Sequence, residues 1–285
     1  MPEIGNKMLK ADIDLIDETF DISQSENYYL SVLISQDELS FCVCNSIINK
    51  YVFLRNYPIS NKNNPLSEYQ SIFERDDILG LRYKSCKNML VSPRFTLVPD
   101  YLFDDDSKEL YMTFNHGEAT DNQTLQNHVK STSLYNVFSY PNDLTDLLNT
   151  YQPNIKLFHH ATTFLNTIVS RYSTALAVRF YSGYLDIVFI ENGKLLFYNT
   201  FLIDAPEDAV YYLLVVSNLF DIDLKTQKLI YAGNYEQMPT EIAILNNYVE
   251  SIVECEPSKT VYYSYHISEI FRKRFINLFN LYECE

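Results

Sequence analysis

Two stretches of this 285-residue chain follow one plan, and that plan constrains the fold more than any other feature. The first runs Tyr28-Tyr-Leu-Ser-Val-Leu-Ile-Ser35, a Gln-Asp-Glu turn, Leu39-Ser-Phe-Cys-Val-Cys44, an Asn-containing turn, then Lys50-Tyr-Val-Phe-Leu-Arg-Asn-Tyr57. The second runs Thr174-Ala-Leu-Ala-Val-Arg-Phe-Tyr181, a Ser182-Gly183 turn, Leu185-Asp-Ile-Val-Phe-Ile190, Glu191-Asn-Gly193, then Lys194-Leu-Leu-Phe-Tyr-Asn-Thr-Phe201. Each reads as three strands, because β-branched and aromatic residues alternate with short polar breaks. A helical pattern follows each set. The repetition predicts an α/β protein of two similar halves, mixed sheets flanked by helices, facing each other across a cleft. Residues 1–26, acidic with spaced apolar positions, read as an N-terminal arm lying on the body. Residues 27–172 form the first half, with inserted material at about 93–140, and 173–285 form the second.

Helix signals sit where crossovers are needed. Pro65 suits an early helical position, so Leu66–Arg75 is expected to be helical. Asp204-Ala-Pro206-Glu-Asp208 places a cap, a proline and two acids at the start of a second crossover helix, Pro206–Phe220. The closing segment Ser268–Tyr282 carries Phe271, Phe275, Leu278, Phe279 and Tyr282 on one helical face. It is expected to pack on the sheet of its own half.

Composition narrows the function. The formal charge is −15, from 37 acidic and 22 basic residues, a field that repels phosphate backbones and argues against nucleic acid as partner. Apolar runs such as Tyr211–Val216 fall far short of the ~20 residues that cross a bilayer, and Met1–Lys10 holds no signal-peptide core. Five cysteines form no CxxC pair and read as reduced, buried residues of a cytoplasmic protein. Glycine is scarce, with six in the chain against about 7% in average usage. Phosphate loops use glycine so that backbone amides approach an anion closely. No GxGxxG, GxxxxGK[ST] or GxSxG occurs.

Other candidate chemistry is thin. His159-His160 is the one histidine pair, and neighbouring strand residues point to opposite faces, so a shared metal is not expected. Asp104-Asp-Asp106 lacks the spaced oxygen ligands of a calcium loop and reads as a solvated turn. No cysteine stands in a recognisable catalytic setting. No catalytic residue and no metal site are therefore assigned.

The runs Ile16-Asp-Glu-Thr-Phe20, Leu30-Ser-Val-Leu-Ile-Ser35, Leu97-Val-Pro-Asp-Tyr-Leu-Phe103 and Phe275-Ile-Asn-Leu-Phe-Asn-Leu-Tyr-Glu-Cys284 resemble a family of uncharacterised bacterial proteins with the actin-like ATPase (ribonuclease H-like) fold. A more distant likeness is to the actin-like cytoplasmic proteins of type IV pilus and type II secretion assemblies, which act largely as scaffolds. The resemblance covers nearly the whole chain and implies a nucleotide cleft whose phosphate loops are the first hairpin turn of each half. In such loops a carboxylate organises the water shell of a metal, and Gly and Ser or Thr admit phosphate. Asp37 matches the acid of the first turn, with no glycine beside it. Ser182 and Gly183 match the second turn, but Arg179, Phe180 and Tyr181 fill the strand end where an acid is wanted. Ala232-Gly233-Asn234 matches the adenosine loop in part, with Asn234 in place of a second glycine. Ribonuclease H-type cleavage needs carboxylates on the first strand, and Tyr28–Ser35 has none. Asp37, Ser182, Gly183, Gly233 and Asn234 are thus the cleft candidates. The expectation is a scaffold or protein-binding role with a protein partner and no cofactor; the alternative is Mg-ATP binding or weak ATPase activity in the cleft.

Overall fold

A computed structural model describes residues 10–62, 64–130, 132–181, 183–233 and 238–284. Along the chain come β1 (Ile13–Ile16), β2 (Tyr28–Ile34), β3 (Glu38–Asn45), β4 (Lys50–Pro58), α1 (Leu66–Arg75) and β5 (Ser85–Leu90). Then follow β6 (Phe95–Pro99), α2 (Lys108–His116), β7 (Asn122–Val129), β8 (Leu134–Pro141), α3 (Asn142–Tyr151), β9 (Lys156–His159) and α4 (His160–Arg171). The remainder is β10 (Ala175–Tyr181), β11 (Tyr184–Glu191), β12 (Lys194–Leu202), α5 (Pro206–Leu219), β13 (Lys228–Tyr231), α6 (Pro239–Leu245), β14 (Ser251–Glu254), β15 (Tyr262–Tyr263), α7 (Glu269–Arg274) and α8 (Ile276–Asn280).

The duplication appears as strand order. One sheet runs β4-β3-β2-β5-β9 and the other β12-β11-β10-β13-β14, in each case an antiparallel meander extended by two parallel strands. Parallel neighbours need a crossover, and α1 and α5 supply it in the two halves. β1, from the segment expected to lie on the body as an arm, extends the first sheet by pairing with β4. The material inserted after β5 forms a small antiparallel sheet, β6-β8-β7, covered by α2.

Strands β2 and β10 are buried at nearly every position, which explains why both read as continuous apolar runs and not as alternating ones. On the first sheet, Leu30, Val32 and Phe41 face Phe73 of α1 and Leu148 of α3. On the second, Leu176, Val178 and Leu229 face Leu213 of α5 and Leu245 of α6. Helix α4 lies between the sheets, with Phe164, Leu165 and Ile168 packed on Ala175, Ala177 and Val188. All five cysteines are buried and free.

The closing segment departs from expectation twice. It breaks at Phe275 (φ −101°, ψ 26°) into α7, α8 and a short 3-10 turn at Leu281–Glu283. It also packs mainly on the first sheet, touching that of its own half through Ile276 and Asn277: Leu278 and Phe279 meet Leu33, Cys42 and Tyr51, the Tyr51 hydroxyl donates to the Phe279 carbonyl, and Ile276 joins Ala177 and Val188 of the second sheet. β15 likewise pairs in parallel with β4. Strands β2 and β3 are apolar on both faces, and α1 and α3 cover only one of them. Periodicity identifies the apolar face of a helix but not the sheet that it meets.

Candidate functional site

Between the halves lies a cleft of about 1040 Å³, bordered by the β2–β3 turn, the start of α1, the β10–β11 hairpin and α7. This is the place the duplicated meanders predict. Asp37, Ser35 and Glu38 line one side, Arg179, Tyr181 and Tyr184 the other.

In the first turn the amides of Ser35, Asp37 and Glu38 are already used. The Ser35 hydroxyl accepts from the N–H groups of Asp37 (3.3 Å) and Glu38 (3.2 Å). The Ser35 amide donates to the Glu38 carbonyl at 2.9 Å, and its own carbonyl accepts from the Tyr69 hydroxyl at 2.7 Å. A phosphate arriving here meets donors that are satisfied locally, as in an ordinary serine turn. The Asp37 carboxylate is ion-paired with Lys62.

The second turn keeps its glycine for conformational reasons. Gly183 has φ +72°, a left-handed geometry that favours glycine, and its carbonyl accepts from the Ile203 amide at 3.0 Å. Ser182 and Asn234, two of the residues singled out in the sequence, lie outside the described residues. Gly233 is explained by packing. A Cβ there would stand 2.5 Å from Cζ and Oη of Tyr231, a ring only 1% exposed. Its missing side chain makes room for a tyrosine.

Sequence reasoning missed an acid beside the second turn. Asp186 faces Arg179 in the β10–β11 register, yet it is completely buried. Thr200 Oγ1 donates to it at 2.6 Å, and His160 Nε2 stands 3.4 Å from its other oxygen. His160 Nδ1 accepts from the Ser92 amide at 3.4 Å, which assigns the ring proton to Nε2, toward the acid. His159 Nε2 lies 2.8 Å from the Ser92 carbonyl, and burial pushes its pKa well below the usual histidine range, so the ring is neutral. The two rings lie with centroids 4.3 Å apart because β9 ends at His159 and α4 begins at His160. They fasten Ser92, the root of the inserted sheet, to α4 and to the second half. Among the described residues no group of three His, Cys, Asp or Glu side chains is placed to hold a metal ion.

The cleft is instead rich in arginine. Arg179 is 5% exposed; one of its terminal nitrogens donates to the Ala232 carbonyl and its guanidinium lies 4.8 Å over the Tyr181 ring. Arg274 approaches Glu38 at 3.8 Å and Arg94 donates to the Gly117 carbonyl at 3.1 Å. Burial pushes the Glu38 carboxyl upward, against the opposing fields of Arg274 and Arg179. Glu38 is the first residue of β3, next to the acid that sequence reasoning selected.

Two sheets that share one five-strand order, an intervening cleft and hairpin turns on its two sides define a protein of the actin-like ATPase fold. A Bacteroides thetaiotaomicron protein with actin-like ATPase fold and unknown function superposes with a TM-score of 0.79 over 93% of this chain and 99% of its own, at 22% identity. The type IV pilus biogenesis complex PilM-PilN contains a chain that matches with a TM-score of 0.54 over 89% of this chain and 96% of its own, at 10% identity. The chain belongs to the family described as "Protein of unknown function (DUF3822)", whose sequence profile matches residues 17–252. No curated protein sequence matches it. No helix among the described residues is long and apolar enough to cross a membrane.

Proposed function

We propose that this protein is a non-catalytic, protein-binding scaffold whose cleft does not organise a magnesium nucleotide. The observation that supports this reading is the fate of the three acids at and beside the two hairpin turns. Asp37 is held by Lys62, Asp186 is sealed between Thr200 and His160, and Glu38 faces arginines. A hydrated magnesium ion needs at least one carboxylate free to orient its water shell. The type IV pilus neighbour forms an assembly of PilM with PilN; by analogy of fold, protein contact is the use to which such a body is put here.

A second reading, Mg-ATP binding with weak turnover, is favoured by the exposure of Asp37, a third of whose side chain reaches solvent. Asp37, Ser182, Gly183, Gly233 and Asn234 then contact the nucleotide. Phosphate release from millimolar Mg-ATP separates the readings. The scaffold reading expects release at the buffer rate; release above it that Asp37→Ala abolishes would establish the second.

A further inference from the structure

We propose that the cleft is an arginine-held site for a small organic oxyanion, an aromatic or apolar body carrying a phosphate or carboxylate, bound without a divalent cation. This goes beyond the scaffold reading, because a scaffold with an unused cleft satisfies that reading and fails this one.

Three of the chain's eight arginines, Arg94, Arg179 and Arg274, line this one cleft although the chain as a whole carries −15. In each, the Nε–H is buried and has no hydrogen-bond partner. A guanidinium offers five N–H donors in a rigid fork, and leaving a buried one unmet is costly. Shut off from solvent, these Nε–H groups do not themselves face the cavity, but the terminal nitrogens of three forks that line one cavity are the donors that an acceptor brought into it would meet. The neighbouring carboxylates do not supply that acceptor. Asp37 has its own cation in Lys62, Asp143 accepts from the Leu144 amide at 2.7 Å, and Glu38 stands 3.8 Å from Arg274, too far for a forked carboxylate bond.

The rest of the lining defines the ligand's body. Tyr69, Phe180, Tyr181, Tyr184 and Phe271 border the same cavity. Aromatic walls with a few charged donors are the usual make-up of small-molecule pockets, which span about 300–1,000 Å³. An aromatic ring stacks on such walls while an attached oxyanion reaches the guanidinium forks. The site thus differs in kind from a phosphate loop with a metal: side chains, not backbone amides, take the charge, and magnesium would compete with the arginines for it.

Calorimetric titration of the full chain with phenyl phosphate, in EDTA, tests the assignment. The expected result is saturable binding that is weakened about tenfold or more in Arg274→Gln and unchanged in Lys194→Gln, an exposed position on β12. Arg274 is partly exposed, so its replacement leaves the core intact; Arg179→Met is the second variant, with circular dichroism to verify folding. Absence of saturable binding, equal binding of the neutral analogue phenol, binding that requires Mg²⁺, or affinity unaffected by Arg274→Gln overturns the proposal.

Discussion

Replacing Gly233 by alanine tests whether this glycine serves packing or a ligand. The new Cβ would lie 2.5 Å from Cζ and Oη of Tyr231 and 3.0 Å from Cε2. Carbon atoms in contact prefer about 3.5–4.0 Å, so ring or backbone must move by about 1 Å. Tyr231 is 1% exposed and stands edge-on to Phe180 with centroids 6.0 Å apart, which leaves the ring nowhere to go. Overpacking of this kind costs about 1–3 kcal/mol. At about 2–4 °C per kcal/mol for a chain of this size, the melting temperature falls by several degrees. The assay is calorimetric or fluorimetric melting of Gly233→Ala, Tyr231→Ala and the double variant. Tyr231→Ala destabilises by itself through the cavity it leaves, but in its background Gly233→Ala should cost nothing, a coupling of 1 kcal/mol or more. Additive losses, or a Gly233→Ala variant that melts like the wild type and loses only ligand affinity, would refute the packing explanation.

Other outcomes follow from the same contacts. Burial pushes the Asp17 carboxyl up, and Lys50 at 2.7 Å with hydrogen bonds from Ser264 and Thr19 more than reverses this, so its pKa sits well below the usual range. A depressed folded pKa contributes stability that is full above the unfolded value of about 3.9 and is lost as pH falls through the folded one. Asp17→Asn should therefore cost about 1–3 kcal/mol at neutral pH, and its deficit against wild type in denaturant titrations should shrink below about pH 4. Lys87 Nζ donates to the carbonyls of Tyr282 and Cys284, so Lys87→Met should raise hydrogen exchange across 281–284 without raising it in β10 or β11. Tyr140→Phe removes the hydroxyl that donates to Asn88 in the first core, and about 1–3 kcal/mol of stability should go with it on chemical denaturation.

What the sequence revealed was whatever depends on neighbours along the chain. The two meanders are written in apolar runs of strand length separated by turns, and the crossover helices in breakers such as Pro65 and Pro206. The site was less legible. Asp37 was singled out because it sits in a turn, whereas Glu38 passed unnoticed because its environment comes from Arg274, far along the chain. Asp186 was one acid in an apolar strand, and its partner His160 belongs to the other half. Gly233 was singled out as room for a nucleotide, and the sequence did not show that Tyr231, two residues earlier, fills the space that a side chain there would take. The closing helices offered an apolar face with no indication of which sheet it would meet.

The most direct test of the central claim is the effect of magnesium on ATP affinity, measured by titration with and without Mg²⁺ beside a phosphate-release assay. With the acids of its two hairpin turns committed, the cleft should show no gain in affinity from the metal and no hydrolysis. A tenfold or greater gain from Mg²⁺, or turnover, either of them abolished by Asp37→Ala, would contradict the account.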